Sequence, residues 1–201
     1  KKRGMKKLVF DLRYNPGGSL IEAINISNFF IPKGKVIVTT KAKIKKWSNT
    51  YKGTNEPLDL EIPIVVLING RSASASEIVS GSLQDYDRAV IMGQRSFGKG
   101  LVQRYRTLTY GTQLKLTISK YYTPSGRCIQ ELDYTNRDAK TGEVPKFSDN
   151  QINEFKTEKG RTVFDGGGVM PDIEIKTSKR TNVTKNLLKS KAIFNFASDY
   201  F

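Results

Sequence analysis

Two rhythms of apolar and polar residues alternate along the chain, and the switches between them mark out its elements. KLVFDL at 7–12 is apolar enough for a buried strand, and it runs into Arg13-Tyr14-Asn15-Pro16-Gly17-Gly18, a turn with two glycines. From Ser19 to Phe30 the apolar positions Leu20, Ile21, Ala23, Ile24, Phe29 and Phe30 suit a helix packed on a sheet, and Pro32 and Gly34 stop it. KVIVTT at 35–40 predicts a second strand, and the polar, basic stretch 41–58 a hairpin or exposed loop. IPIVVLI at 62–68 is the strongest strand of all, β-branched and apolar throughout, as expected of a central strand covered on both faces.

After Asn69-Gly70 the pattern predicts a helix from Ser74 or Ala75 to Gln84, a short strand at 89–92 and a loop from Gly93 to Gly100. Leu101–Leu108 and Gln113–Tyr121 form a hairpin about Tyr110-Gly111, with alternation at Leu114, Leu116 and Ile118. Residues 133–160 are polar and predict a long surface excursion, partly helical around Asp149–Lys156. A glycine-rich turn at 165–172 enters a strand at 173–175, and a helix is predicted over Asn182–Phe196. Strands separated by helices, without an internal repeat, argue for an α/β core. The expected division is a core over 1–176 and a basic, helical tail over 177–201.

With 201 residues, the chain can build one domain with a sizeable core, alone or with a small appendage. It holds no run of about 18 apolar residues, so no membrane-spanning helix is expected, and its first residues lack a signal-peptide layout. Histidine is absent, which removes every Ser-His-Asp triad, Cys-His dyad and histidine metal site; Cys128 stands alone, so no intrachain disulfide or thiolate zinc site is expected. An activated nucleophile in this chain needs lysine or a carboxylate as its base. The formal charge of +15 invites a nucleic-acid reading. Its basic residues cluster at 1–7, 41–46 and 176–191, without a helix-turn-helix, an RNP-like strand or a paired-cysteine finger. A solvated basic surface accounts for them more simply.

The chemistry concentrates in residues 69–103. Ser74 opens a helix just beyond the central strand, where free N–H groups and the helix dipole favour an oxyanion. Ser74-x-x-Glu77 is equally the pattern of a capping box, and Ser72 and Ser76 are rival nucleophiles or caps. Lys99 lies between Gly98 and Gly100, which allow the backbone to approach closely, but a loop lysine exposed to solvent fits the same residues. A lysine acting as base near neutral pH must fall from about 10.4 to roughly 7–8. Gly93 to Gly100 mimics a phosphate-binding loop until its last position, where Gly100 replaces the required Ser or Thr. A main-chain N–H of Gly17 or Gly18 could meet that of Ala75 across the nucleophile, or the two glycines could form a plain strand-to-helix turn.

Taken together, FDLRYNPGGSL at 10–20, VVLINGRSASASEIVSGSLQDYDRAVIMG at 65–93, SFGKGLVQ at 96–103, LKLTISKYYTPSGRCIQ at 114–130 and GGVMPDIEI at 167–175 resemble the carboxy-terminal processing peptidases, or tail-specific proteases. The pieces cover most of 7–175 in the family's order. The resemblance places the nucleophile on Ser74, the general base on Lys99 and the residue that orients the lysine on Gln103, with oxyanion donors from the backbone of Ala75 and of Gly17 or Gly18. It implies a crotonase/ClpP-like core of mixed sheet with packed helices, no metal or cofactor, and an acyl-enzyme mechanism. It implies polypeptide substrates with unstructured C-terminal tails, no nucleic-acid partner, and an extracytoplasmic place, periplasmic or membrane-associated, in a bacterium. It also implies a piece of a longer exported precursor, because the family's PDZ domain and the segments before it are not among these residues. The competing readings are a catalytically silent module that grips peptides at the hairpin edge around 101–121, and a basic nucleic-acid adaptor.

Overall fold

Four short strands form a parallel sheet. β1 (Leu8–Asp11), β4 (Ile64–Ile68) and β5 (Val90–Gly93) lie side by side and parallel, and β10 (Ile173–Glu174) adds to the far edge. The computed structural model describes residues 4–176 and 181–200. A second, antiparallel sheet has the order β3 (Asn49–Lys52), β2 (Val36–Lys41), β7 (Gln113–Tyr122) and β6 (Leu101–Thr107). Parallel and antiparallel sheets with packed helices make this the mixed α/β fold expected of the sequence.

α1 (Leu20–Asn28) and α2 (Ala75–Asp85) pack on each other and on these sheets. Ser19 caps α1 by accepting the Glu22 N–H at 3.4 Å. All of α2 is buried, although half of its residues are polar. Small residues make this possible: a Cβ on Gly81 would already stand 3.0 Å from the Thr123 methyl. Its hydroxyls are satisfied locally, Ser80 donating to the Ser76 carbonyl at 2.9 Å and Ser82 to Ser27 Oγ at 3.1 Å. Its last turn is anchored by a fully buried ion pair, Asp85 with Arg127 at 2.9 Å, and Arg127 also donates to Gln84 Oε1 at 2.7 Å. Leu83 of this helix packs with Ile24, Ile37, Val38, Val66, Ile68 and Ile91 to close the core.

Three expectations are corrected. β4 is central, but only one face of its sheet is covered: Phe10, Val66 and Ile91 share the packed side, whereas Val9 and Val90, in register with half-buried Val65 on the other side, are exposed. The helix expected around Asp149–Lys156 is a single 3-10 turn at Asp149–Gln151, followed by β8 (Glu154–Lys156), which pairs with β9 (Thr162–Phe164). Backbone pairing wins there, assisted by the Asn153 N–H donating to Asp165 at 2.7 Å. The tail helix is two helices, α3 (Asn182–Lys189) and α4 (Ala192–Tyr200), separated where Lys191 takes a φ of 56°. Residues 177–180 of the expected tail, with 1–3 and 201, lie outside the described residues. The hairpin forms as expected, but the alternation does not show in its burial at the distal end, where Gln113 to Thr117, Leu114 and Leu116 included, are all exposed.

Candidate active site

β4 delivers the chain to a tight turn, and Ser74 sits at its end as the residue before α2, with φ 57° and ψ −115°. A non-glycine residue seldom adopts these angles, at a cost of order 1–3 kcal/mol, and such strain concentrates at functional positions. The turn's other serines are committed to main-chain carbonyls: Ser72 Oγ donates to Leu12 at 2.7 Å and Ser76 Oγ to Asn15 at 3.0 Å. The Ser74 side chain lines a cavity of about 340 Å³. The anticipated capping box is present: the Glu77 carboxylate accepts the Ser74 N–H at 2.8 Å, and the Ser74 side chain faces the Glu77 N–H.

The same cavity brings together Gly18, Ala75, Lys99 and Gln103, with apolar walls from Leu20, Ile78, Leu101 and Val102 and with Tyr121 beside them. Ala75 is the first residue of α2, so its N–H has no carbonyl of its own helix to reach. In the glycine turn, Gly17 has φ +91°, and a Cβ there would stand 2.5 Å from the Ala73 oxygen and 2.6 Å from the Ala75 nitrogen. Gly17 therefore lets the two turns touch, but its own N–H already donates to Asn15 Oδ1 at 2.9 Å. Of the pair, Gly18 lines this cavity.

Lys99 is held by the close backbone approach its flanking glycines allow. Gly98 has φ +84° and a Cβ there would meet Glu131 Cβ at 2.5 Å, while one on Gly100 would meet the Gln130 nitrogen at 2.8 Å. Lys99 forms no ion pair among the described residues, and no hydrogen bond joins its ammonium to the Ser74 hydroxyl. Gln103 follows a bulge between Val102 and Gln103, and its amide donates to Thr117 Oγ1 at 3.4 Å instead of to the lysine's neighbourhood. Lys99, Leu101 and Gln103 also line a second hollow of about 290 Å³ with Phe97, Leu132 and Tyr134, so the lysine stands between two cavities.

Two residues at the site carried no separate signal in the sequence. Glu77, fully buried, accepts four hydrogen bonds: from the Ser74 N–H (2.8 Å) and Lys99 N–H (2.9 Å) on Oε2, and from the Gly98 N–H (2.7 Å) and Ser96 Oγ (2.5 Å) on Oε1. Burial pushes its carboxyl above the ordinary value against the pull of those donors. Tyr121, also buried, directs its hydroxyl at the carbonyls of Lys99 and Ser74, the latter at 3.2 Å. Burial, reinforced by the charge of Glu77, pushes its phenol well above its ordinary value, so it stays a donor. The capping pattern revealed Glu77 only as a local cap, and Tyr121 reads as an ordinary strand aromatic.

Residues 1–139 match the model of peptidase family S41. The chain belongs to this family. It is 48% identical over 131 residues to a carboxy-terminal-processing protease of Bartonella bacilliformis, covering 65% of this chain and 30% of that protein. It is 44% identical over 132 residues to a protein named probable CtpA-like serine protease in Staphylococcus aureus, covering 64% of this chain and 26% of that one. Among solved structures, the photosystem II D1 C-terminal processing protease superposes with a TM-score of 0.63 at 27% identity, over 87% of this chain and 36% of that one. The chain thus spans less than a third of the length of these two sequence relatives.

Proposed function

We propose that this S41 chain carries the catalytic centre of a serine endopeptidase, with Ser74 as nucleophile and Lys99 as general base. The observation that carries the reading is that a strained serine at a helix N-terminus, a lysine without an ion pair among the described residues, and Ala75 and Gly18, whose N–H groups we assign to the oxyanion, line one cavity. In the first half-reaction Lys99 takes the Ser74 proton as Oγ attacks the peptide carbonyl. The oxyanion lies between the Ala75 and Gly18 N–H groups. Collapse breaks the C–N bond, and Lys99 returns the proton to the leaving amine. Water then attacks the acyl-enzyme by the same route and frees the new carboxylate.

The lysine does this work only when neutral, and only when its nitrogen comes within about 2.6–3.2 Å of the serine oxygen. The present geometry, with the two side chains sharing a cavity unbonded, is the resting arrangement, and substrate closes the gap. Gln103, two residues beyond Leu101 in β6, reaches the lysine in that closed state and orients it. β6 is the edge of its sheet and borders the cavity, so an extended peptide adds to it as a further strand. The substrates we assign are polypeptides with unstructured C-terminal tails, met outside the cytoplasm of a bacterium. The similarity to a bacterial carboxy-terminal-processing protease and to a probable CtpA-like serine protease supports that assignment.

The test is covalent labelling of the chain by a fluorophosphonate, read by peptide mass spectrometry, alongside cleavage of a flexible C-terminal peptide. Ser74→Ala should abolish labelling and cleavage, and Lys99→Ala should lower both by at least about a thousandfold, given the weight of a general base coupled to its nucleophile. Labelling of another residue, or full cleavage by either variant, would sink the assignment. Retention of peptide binding without turnover in the unmodified chain would instead support a silent peptide-binding module.

A further inference from the structure

The proposed nucleophile and base lie 25 positions apart in the chain, on two separate loops, yet each offers its N–H to Glu77 and its carbonyl to Tyr121, the Ser74 carbonyl also accepting the Glu77 and Ile78 N–H groups of α2. Glu77 Oε2 accepts the N–H of Ser74 at 2.8 Å and the N–H of Lys99 at 2.9 Å. On the opposite side of the same two residues, the Tyr121 hydroxyl faces the Ser74 carbonyl at 3.2 Å and bonds the Lys99 carbonyl. Glu77 comes from α2 and Tyr121 from β7, so two elements that bracket the site each grip both loops.

We propose that Glu77 and Tyr121 are positioning residues that form a two-sided clamp, fixing the Ser74 turn and the Lys99 loop in register so that serine and lysine can meet. This inference rests on the assignment of Ser74 and Lys99 above, and it adds a device that acts through their main chains. Several details fit a clamp better than ordinary packing. Glu77 is fully buried with all its acceptor directions occupied, and the remaining two contacts, Gly98 N–H and Ser96 Oγ, belong to the same lysine loop. Ser96 Oγ in turn accepts the Val169 N–H at 2.6 Å, which ties the clamp to the glycine-rich turn before β10. A buried carboxylate without a cation partner is costly unless hydrogen bonds replace its water, and here four do so.

The clamp explains how the site tolerates a flexible base. Lysine carries much rotamer freedom, so the only way to bring its nitrogen repeatedly to the serine oxygen is to hold its Cα at a fixed distance and direction. A displacement of 1 Å at such a pair is enough to cost a hundredfold in rate. The tyrosine has a single proton to share between the two carbonyls.

Tyr121→Phe, Glu77→Gln and Glu77→Asp should be compared with Ser74→Ala and Lys99→Ala in the same 201-residue chain. Tyr121→Phe removes one oxygen, and Glu77→Gln keeps the shape while turning an NH2 group towards two of the four donors. For both we expect the fluorophosphonate labelling rate at saturation to fall at least tenfold, with the half-saturating probe concentration changed less than twofold. Amide hydrogen exchange at Ser74 and Lys99 should accelerate in both variants while the amides of β4 and of α1 keep their protection. Glu77→Asp, a carboxylate too short to span both loops, should not restore the rate.

Labelling within twofold of wild type in Tyr121→Phe and Glu77→Gln, with Ser74→Ala and Lys99→Ala inactive, overturns the clamp and leaves the dyad standing. Loss of protection throughout the chain in both variants also overturns it, because the two residues would then hold the fold and not the site. Full labelling in Ser74→Ala overturns the catalytic reading itself.

Discussion

A Cβ added at Gly17 would come within 2.6 Å of two backbone atoms, on a residue with φ of +91°. Neither contact can be relieved by a rotamer change, because both belong to the main chain of the Ser74 turn. Gly17→Ala should therefore destabilise the fold by on the order of 3 kcal/mol, combining backbone strain with overpacking. It should also push Ala75 away from Gly18 and slow covalent labelling of Ser74. Gly18 has no atom within 4 Å of an added Cβ, so Gly18→Ala is the matched control and should retain near-normal stability. Urea unfolding of the pair checks this, and equal stabilities would refute the close-approach argument. The sequence offered both glycines as equivalent. Only their surroundings separate the one that permits contact from the one that faces the cavity.

At the level of elements, the C-terminal end of α2 and the loop after it are tied to the β8–β9 hairpin by Arg161, which pairs with Asp87 and with Asp172, each at 2.5 Å. Burial tends to raise the Asp87 carboxyl, but hydrogen bonds from Arg161 and the Lys159 N–H outweigh it and hold the group below its ordinary value of 3.8. A carboxylate lowered on folding stabilises the native state fully above its unfolded value, and that contribution fades as pH falls through the folded one. Stability should therefore decline below about pH 4, and Arg161→Met should be less stable at neutral pH while showing a shallower acid decline. Thermal melts between pH 3 and 7 measure it, and parallel curves would exclude the linkage. The hairpin itself was hidden from the sequence, because Asn150–Lys156 carries helix-compatible polar residues and its strand pairing depends on a partner six residues on. The β1–α1 and β4–α2 units were legible, since their apolar periods, Ser19 cap and glycine breaks all agree. Ser74 and Lys99 were legible as loop residues with unusual neighbours. Glu77 and Tyr121 were not, because a capping pattern and an alternating strand explain them without any reference to the lysine loop. The all-buried α2 was equally hard to foresee, for its serines look solvent-facing until Ser27 and the backbone satisfy them.

For the molecule as a whole, two properties pull in opposite directions. A parallel sheet ordinarily has both faces covered, yet Val9, Val90 and Ile173 on the outer side of β1, β5 and β10 are 65%, 41% and 49% exposed. Register puts Val9 and Val90 in line through Val65, and Ile173 beside Met92, so these residues form one apolar stripe and not scattered points. A contiguous stripe of this kind favours association. The formal charge of +15 opposes it through repulsion between copies. Salt weakens only the second effect, because the screening length falls to about 3 Å at 1 M while apolar burial is unaffected or strengthened. The chain should therefore sediment as a monomer at low ionic strength and associate as sodium chloride is raised towards 1 M. Val9→Lys with Val90→Lys should remove the association, and because both side chains are exposed the pair should shift stability by no more than about 1 kcal/mol. Association that persists in the double variant would assign it to another surface. A monomer at all salt concentrations would mean that the open stripe is too small to overcome the entropy of pairing.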